Sequence, residues 1–155
     1  MEIHNLAGHL IRRLNQISTS VFQTRLKDEG FDLTPVQYAA MTAIHTHPGM
    51  DQATVAAFIS YDRATIGGVI DRLHGKGLVS REINEKDRRA RVLSLTDQGR
   101  VMIEQITPVI QTLQNDILSG LSVEERETFL ALATKAAAAG SNLPTMPTVK
   151  KRRLG

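Results

Sequence analysis

Apolar residues recur every three or four positions through most of the chain, a spacing that predicts amphipathic helices. At the start of the chain this pattern runs over residues 3–28, and Gly30 ends it. A second helix is predicted to begin at Thr34 and Pro35, because threonine caps helices and proline is tolerated in the first turn. It runs to His47, so the N-terminal part consists of two helices.

A pair of shorter helices follows, with only two residues between them. The first extends from about Asp51 to Ile59 and has Val55, Phe58 and Ile59 available for a core. The second begins near Asp62, and its predicted buried face is Ile66, Val69, Ile70 and Leu73. Two helices joined by so short a turn are typical of a helix-turn-helix.

Two adjacent glycines, Gly67 and Gly68, interrupt the second of these helices. Each should destabilise a helix by roughly 0.5–1 kcal/mol relative to alanine. The apolar face nevertheless stays in register on both sides, so we predict a helix and not a turn. Its outer face then carries small residues bordered by Arg63, Thr65 and Arg72, which suits close approach by a DNA backbone. The alternative is a neutral solvent-exposed face.

The next segment alternates apolar and polar residues over 78–83 and again over 91–95, which predicts a β-hairpin. The loop at 84–90 is polar and carries Lys86, Arg88 and Arg89. A charged loop is usually a solvated turn. Its direct connection to the glycine-containing helix favours a second contact with a polyanion instead.

Long helices are predicted to close the chain, over residues 96–119 and 122–139. Thr96 caps the first, and Pro108 is expected to kink it near residues 106–107. Residues 140–155 contain two prolines and end in the basic run 150–153, so we expect a disordered basic tail.

Composition narrows the possible functions. The chain has no cysteine, which excludes disulfides and thiolate metal sites, and its five histidines show no metal-binding spacing. We find no nucleophile–base pattern and no phosphate-binding loop, so we expect no enzymatic activity, no cofactor and no metal. No stretch reaches the ~20 apolar residues of a membrane span and no signal peptide is evident, so we expect a cytoplasmic protein without a membrane partner.

Positive charge is concentrated in the helix and hairpin. Residues 60–91 carry eight basic and five acidic side chains, a local charge of +3, and the tail adds four further basic residues. The rest of the chain is net negative, which points to a polyanionic partner for the basic regions.

The predicted fold is mainly α with a small β-wing: a winged helix-turn-helix at 34–95 flanked by terminal helices at 3–28 and 96–139, all within one domain at 1–139. The terminal helices carry more apolar surface than so small a module can cover, which predicts a homodimer. The sequence contains, in order, LTPVQY at 33–38, DRAT at 62–65, VIDRL at 69–73, GLVSR at 77–81, DRR at 87–89, LTDQG at 95–99, GLS at 120–122 and ER at 125–126. In order and spacing these segments resemble the MarR family of transcriptional regulators, and the resemblance covers roughly residues 6–138.

The resemblance implies a homodimer that places two recognition helices in successive major grooves of a palindromic operator, with the wings in the flanking minor grooves. By this resemblance Arg89 enters the minor groove, Asp87 holds its guanidinium, and Arg72 and Arg88 contact phosphates. Arg63 and Thr65 would face the major groove. Many members have larger residues at Gly67 and Gly68, so fewer side chains are left here to read bases. Ser60, in the turn, completes the predicted DNA-binding set.

Members of this family typically release DNA when a small molecule binds between the dimerisation helices and the DNA-binding module. The candidate effector residues here are His9, Arg13, Tyr38, Met41 and His45. An apolar cleft with one arginine and one phenol suits an aromatic carboxylate or its CoA thioester. The alternative is that Tyr38 and Met41 belong to the dimer core and that Arg13 is a surface charge.

Two functions from different classes therefore remain. The first is a sequence-specific DNA-binding repressor released by a small-molecule effector such as an aromatic acid. The second is a winged-helix module that binds protein and neither DNA nor ligand. Binding to duplex DNA that weakens steeply with salt would distinguish the first from the second.

Overall fold

A computed structural model of the chain describes residues 2–88 and 91–140. Contacts divide the described residues into two compact units, one ending at Ile117 and one beginning at Leu118. The elements in chain order are α1 (Ala7–Asp28), α2 (Pro35–Thr46), α3 (Gln52–Phe58), α4 (Arg63–Gly75), β1 (Val79–Ile83), β2 (Arg91–Leu95), α5 (Asp97–Ile117) and α6 (Val123–Gly140). The predicted fold class, a mainly helical winged helix-turn-helix, is confirmed.

The starts of the helices follow from local capping chemistry. Thr34 and Gln37 form a reciprocal capping box at the start of α2, with Pro35 in its first turn. Asp51 and Asp62 accept backbone N–H groups at the starts of α3 and α4. Such caps act within four residues of sequence, which explains why these helix starts were predictable.

The N-terminal helix begins later than the pattern predicted. Residues Ile3–Asn5 form a separate 3₁₀ turn, and α1 starts at Ala7 after Leu6, which is extended and supplies no side-chain cap. A three-residue apolar step fits a 3₁₀ turn as well as an α-helix, so periodicity alone could not separate them.

Helix α2 lies at the centre of the first unit and packs against α1, α3, α4, α5 and β2. Because it is covered on several sides, its buried face includes Met41 as well as Ala40 and Ile44. Met41 is one of the candidate effector residues, and it is instead buried completely in the core of the single chain. Phe58 departs from prediction in the opposite sense: it is 56% exposed and lies against His47, with ring centroids 5.0 Å apart.

The hairpin is antiparallel and pairs Val79 with Leu95 at one end and Ile83 with Arg91 at the other. The sequence pattern did not reveal that the segment before α3 also pairs with β2. The Leu93 N–H donates to the Met50 carbonyl at 2.8 Å, and Asp51 bridges to Val92. The wing is therefore fixed to the start of α3 as well as to α4.

Helix α5 continues as one element through Pro108, although that residue cannot donate a backbone hydrogen bond. In the second unit Ser122 and Glu125 form a capping box at the start of α6. This helix ends at Gly140, and the predicted tail beyond it, including residues 150–153, lies outside the described residues.

Candidate nucleic-acid interface

Helix α4 separates its residues cleanly into a buried face and an exposed face. Ile66, Val69, Ile70 and Leu73 are all buried in the core, as their spacing predicted. Arg63, Thr65, Gly68 and Arg72 are exposed. The helix is thus anchored by its apolar face and presents two arginines and a threonine outward.

The two glycines occupy different surroundings. A Cβ atom at Gly68 would meet no other part of the described chain within 4 Å, so internal packing does not require glycine there. Gly67 is half-buried, and a Cβ there would lie 3.5 Å from the Gln52 side-chain nitrogen of α3. Gly67 therefore lies toward α3 and not on the fully open face where the sequence analysis placed it.

The turn between α3 and α4 has an unusual backbone at Ser60. Its φ is +59°, and it is the one non-glycine residue with positive φ among the described residues. The Ser60 N–H donates to the Ala57 carbonyl and the Tyr61 N–H to the Ala56 carbonyl, which is the Schellman pattern. Glycine usually occupies this position, so the serine is retained at a cost in backbone energy.

The first turn of α4 is held by Asp62. Its carboxylate accepts the Thr65 N–H at 2.8 Å and the Thr65 hydroxyl at 2.7 Å, and these bonds lower the pKa of Asp62. Asp51 caps α3 in the same way through the hydroxyl and N–H of Thr54, and the charge of Arg63 further lowers the Asp51 pKa. Both carboxylates are ionised at neutral pH.

An ion pair that sequence reasoning missed joins the wing to α4. The Arg81 Nη1 of β1 donates to the Asp71 Oδ1 of α4 at 2.6 Å. The sequence does not reveal this pair, because ten positions separate the two residues and only the turn between α4 and β1 brings them together. The negative charge of Asp71 on the outer side of α4 is thereby partly neutralised.

The wing tip lies partly outside the described residues. The Asn84 side chain accepts the Lys86 N–H at 2.9 Å, and Asp87 and Arg88 are exposed. Arg89, the predicted minor-groove residue, is not among the described residues, so its pairing with Asp87 stays a prediction.

The predicted effector residues fall into two separated groups. His9 and Arg13 lie on the first half of α1, where His9 is half-buried beside His4 and its Nε2 contacts no partner among the described residues. On α2, Tyr38 is half-buried and His45 is exposed, whereas Met41 is fully buried in the core and reaches no surface.

Within one chain Arg13 lies away from the point at which α1 meets Tyr38. Helix α1 contacts α2 through Phe22, whose ring lies 6.2 Å from that of Tyr38. Arg13 is nine residues earlier on α1, about 13 Å along the helix axis at 1.5 Å per residue. The contact between Phe22 and Tyr38 therefore does not bring Arg13 to Tyr38.

Metal-ligating groups and membrane-spanning helices are both absent from the residues that the structure describes. These residues contain no group of three or more histidine or acidic side chains placed to hold a metal ion. Over the same residues, none of the helices combines the length and the apolar character needed to cross a bilayer.

The chain resembles known proteins both in sequence and in structure. A family model described as "MarR family" matches residues 33–90. The transcriptional regulator HosA of Escherichia coli O127:H6 is 34% identical over 135 residues, which cover 87% of this chain and 97% of HosA.

Among solved structures, BpsR of Bordetella bronchiseptica, whose DNA binding is regulated by 6-hydroxynicotinic acid, gives a TM-score of 0.81 at 28% identity over 88% of this chain and 96% of BpsR. The PcaV transcriptional regulator of Streptomyces coelicolor, solved with its natural ligand, gives a TM-score of 0.81 at 31% identity, covering 90% of this chain and 97% of PcaV.

Proposed function

We propose, from the premise that the chain belongs to the MarR family of transcriptional regulators, that it is a sequence-specific, DNA-binding repressor that a small molecule releases from its operator. The resemblance inferred from the sequence is confirmed, and so is the interpretation that the chain is a regulator and not an enzyme. The operator contacts, the oligomeric state and the effector are the parts that we propose.

The observation that carries the proposal is the open face of α4 at Gly68. A glycine that weakens a helix and that no internal contact requires is explained if an external surface must approach the helix closely. Arg63 and Arg72 border this face, as expected where a helix lies in a major groove between two phosphate strands. Arg88 in the wing would add a phosphate contact and Arg89 a minor-groove contact.

A homodimer would supply the second reading helix of a palindromic operator. In the first unit, α1 exposes apolar side chains at Leu10, Ile11 and Ile17, and Leu6, just before the helix, is exposed as well. In the second unit, α6 exposes Val123, Leu130 and Leu132. Exposed apolar rows on long helices are typical of protein–protein interfaces, and a second copy of the chain is the partner that two-fold operator symmetry requires.

We propose an aromatic carboxylate or its CoA thioester as the effector, bound by His9, Arg13, Tyr38 and His45. Arg13 supplies a cation suited to a carboxylate, and BpsR, a structural neighbour, responds to an aromatic acid. Because His9 and Arg13 lie apart from Tyr38 in one chain, a partner subunit would have to complete the site. The first probe is 6-hydroxynicotinic acid. We expect it to release the unmodified chain from operator DNA and to have no such effect on Arg13→Gln.

The experiment that tests DNA binding is a titration of fluorescent duplexes, selected from a randomised pool, at several salt concentrations. We expect affinity to fall steeply with salt because several phosphates are neutralised. Gly68→Leu should remain folded and lose binding, whereas Gly75→Leu, a matched exposed glycine seven residues further along α4 with no neighbour within 4 Å, should retain it. Normal binding by Gly68→Leu, or no binding of any duplex by the unmodified chain, would contradict the proposal.

A further inference from the structure

The hydroxyl of Thr65 is fixed in the direction of its hydrogen bond. Thr65 lies on the exposed first turn of α4, and its Oγ1 is 2.7 Å from Asp62 Oδ2, while its backbone N–H donates to Asp62 Oδ1 at 2.8 Å. An ionised carboxylate only accepts hydrogen bonds. The Thr65 hydroxyl must therefore donate its single proton to Asp62. Only the lone pairs of its oxygen remain available to another molecule.

We propose that Asp62 is a positioning residue that makes the Thr65 hydroxyl a hydrogen-bond acceptor toward DNA and so determines one base preference of the operator. A threonine hydroxyl that is free to rotate can donate or accept, and it discriminates poorly between bases. Held by Asp62, it favours a base that presents a donor in the major groove. Those bases are adenine, through its N6 amino group, and cytosine, through its N4 amino group.

The inference rests on the proposed function, because Thr65 can read a base only if α4 enters a major groove. It matters more in this chain than in a recognition helix with many long side chains. Gly67 and Gly68 carry no side chain, so Arg63 and Thr65 are the exposed groups of the first turn that can reach base edges. One hydroxyl with a fixed direction then contributes a large share of the direct readout.

Asp62→Asn is the informative variant, because it reverses this direction without removing the helix cap. Asparagine caps helices about as well as aspartate, and its carbonyl oxygen would still accept the Thr65 N–H. Its amide nitrogen would replace Oδ2 and could only donate, so the Thr65 oxygen would accept that bond and its proton would point outward. The preferred base should then change to thymine or guanine, which present a carbonyl oxygen, O4 or O6, where adenine and cytosine present their amino group.

The experiment is selection of binding sites from a randomised duplex pool by the full-length chain, followed by competition among the four bases at each position. We expect one position per half-site to prefer adenine or cytosine by about three- to tenfold, the effect of one ordinary hydrogen bond. Asp62→Asn should shift that position toward thymine or guanine. Thr65→Val, which keeps the shape and lacks the hydroxyl, should abolish this donor-over-acceptor preference both alone and combined with Asp62→Asn.

Asp51→Asn is the matched control, since Asp51 caps α3 through Thr54 with the same spacing but lies outside the reading helix. It removes the same charge, so both aspartate variants should strengthen overall affinity, but Asp51→Asn should leave every base preference unchanged. If the unmodified chain selects no sequence, the proposed function fails. If it selects an operator but neither Asp62→Asn nor Thr65→Val changes a base preference, the proposed function stands and the inference about Thr65 is wrong.

Discussion

Single glycines with different roles cannot be told apart in this sequence. Gly68 lies on an open helix face, whereas a Cβ atom at Gly99 would lie 2.1 Å from the Leu78 carbonyl oxygen. The same junction is tied by Thr96, whose hydroxyl donates to the Gly77 carbonyl at 2.6 Å and accepts the Gly99 N–H at 3.0 Å. The first turn of α5 is thus held directly against the backbone that leads into the wing.

Gly99→Ala should therefore destabilise the fold strongly. The added methyl group would meet backbone, which cannot move aside as a flexible side chain can, so we expect a loss of about 2–3 kcal/mol or more. Urea denaturation measures the loss. Gly120→Ala is the control, because a Cβ at Gly120 would have open space, and equal stability of the two variants would contradict the close approach.

Ser60→Gly should have the opposite effect on stability. The ends of α1 and α4 have the same pair of hydrogen bonds as the end of α3, and there the left-handed residue is Gly30 or Gly77. Relieving the left-handed strain at Ser60 should stabilise the fold by about 0.5–1 kcal/mol in urea denaturation, after the entropy cost of glycine. Ser119→Gly, in a loop where φ is not positive, should give no gain. A loss of stability in Ser60→Gly would show that the serine makes a contact worth more than the strain.

At the scale of whole elements, the helix starts are controlled by short-range capping. The two helices of the helix-turn-helix both begin at an aspartate that accepts the N–H of a threonine three residues later. These hydrogen bonds reach their full strength only when the carboxylate is ionised. The stability of α3 and α4 therefore depends on pH.

Acid should weaken this module. The bonds from Thr54 lower the pKa of Asp51, and those from Thr65 lower the pKa of Asp62, both from an ordinary value of 3.8. A lowered pKa in the folded state gives stability that is complete well above that value and is lost as the pH falls through the folded pKa. The thermal midpoint should fall below about pH 4, measured by circular dichroism. The combined Asp51→Asn and Asp62→Asn variant should fall less, and parallel curves would contradict the assignment.

Features that depend on local interactions were predicted from the sequence, and features that depend on distant interactions were not. The starts of α2, α3 and α4 and the hairpin strands depended on neighbours in sequence, and they were correctly placed. Burial of Met41, exposure of Phe58 and the pair between Arg81 and Asp71 depend on which elements pack together, and periodicity does not contain that information. Likewise, the sequence identified a candidate reading helix, but only the structure shows the hydrogen bond from the Thr65 hydroxyl to Asp62.

At the scale of the whole molecule, the terminal helices expose apolar surface that no contact within the described chain covers. Leu10 on α1 is 45% exposed, and Leu130 and Leu132 on α6 are exposed as well. Burying apolar surface is the main favourable term in protein association, at roughly 25 cal/mol per Å². Two copies joined through such helices would hold their reading helices at a fixed spacing, which a palindromic operator requires.

Leu10→Asp should therefore separate the subunits without unfolding them. The side chain is half-exposed in the single chain, so the fold tolerates a charge there. In a dimer the same charge would be buried with no opposite charge to pair with it. Sedimentation velocity should give a dimer for the unmodified chain and a monomer for Leu10→Asp. Operator affinity should be lost in parallel, because one reading helix alone contacts half a site.

Ile83→Asp, which places the same charge at a 60% exposed apolar residue of β1, should remain dimeric. A dimeric Leu10→Asp would move the interface away from this part of α1, and a monomeric unmodified chain would exclude the two-fold arrangement on DNA.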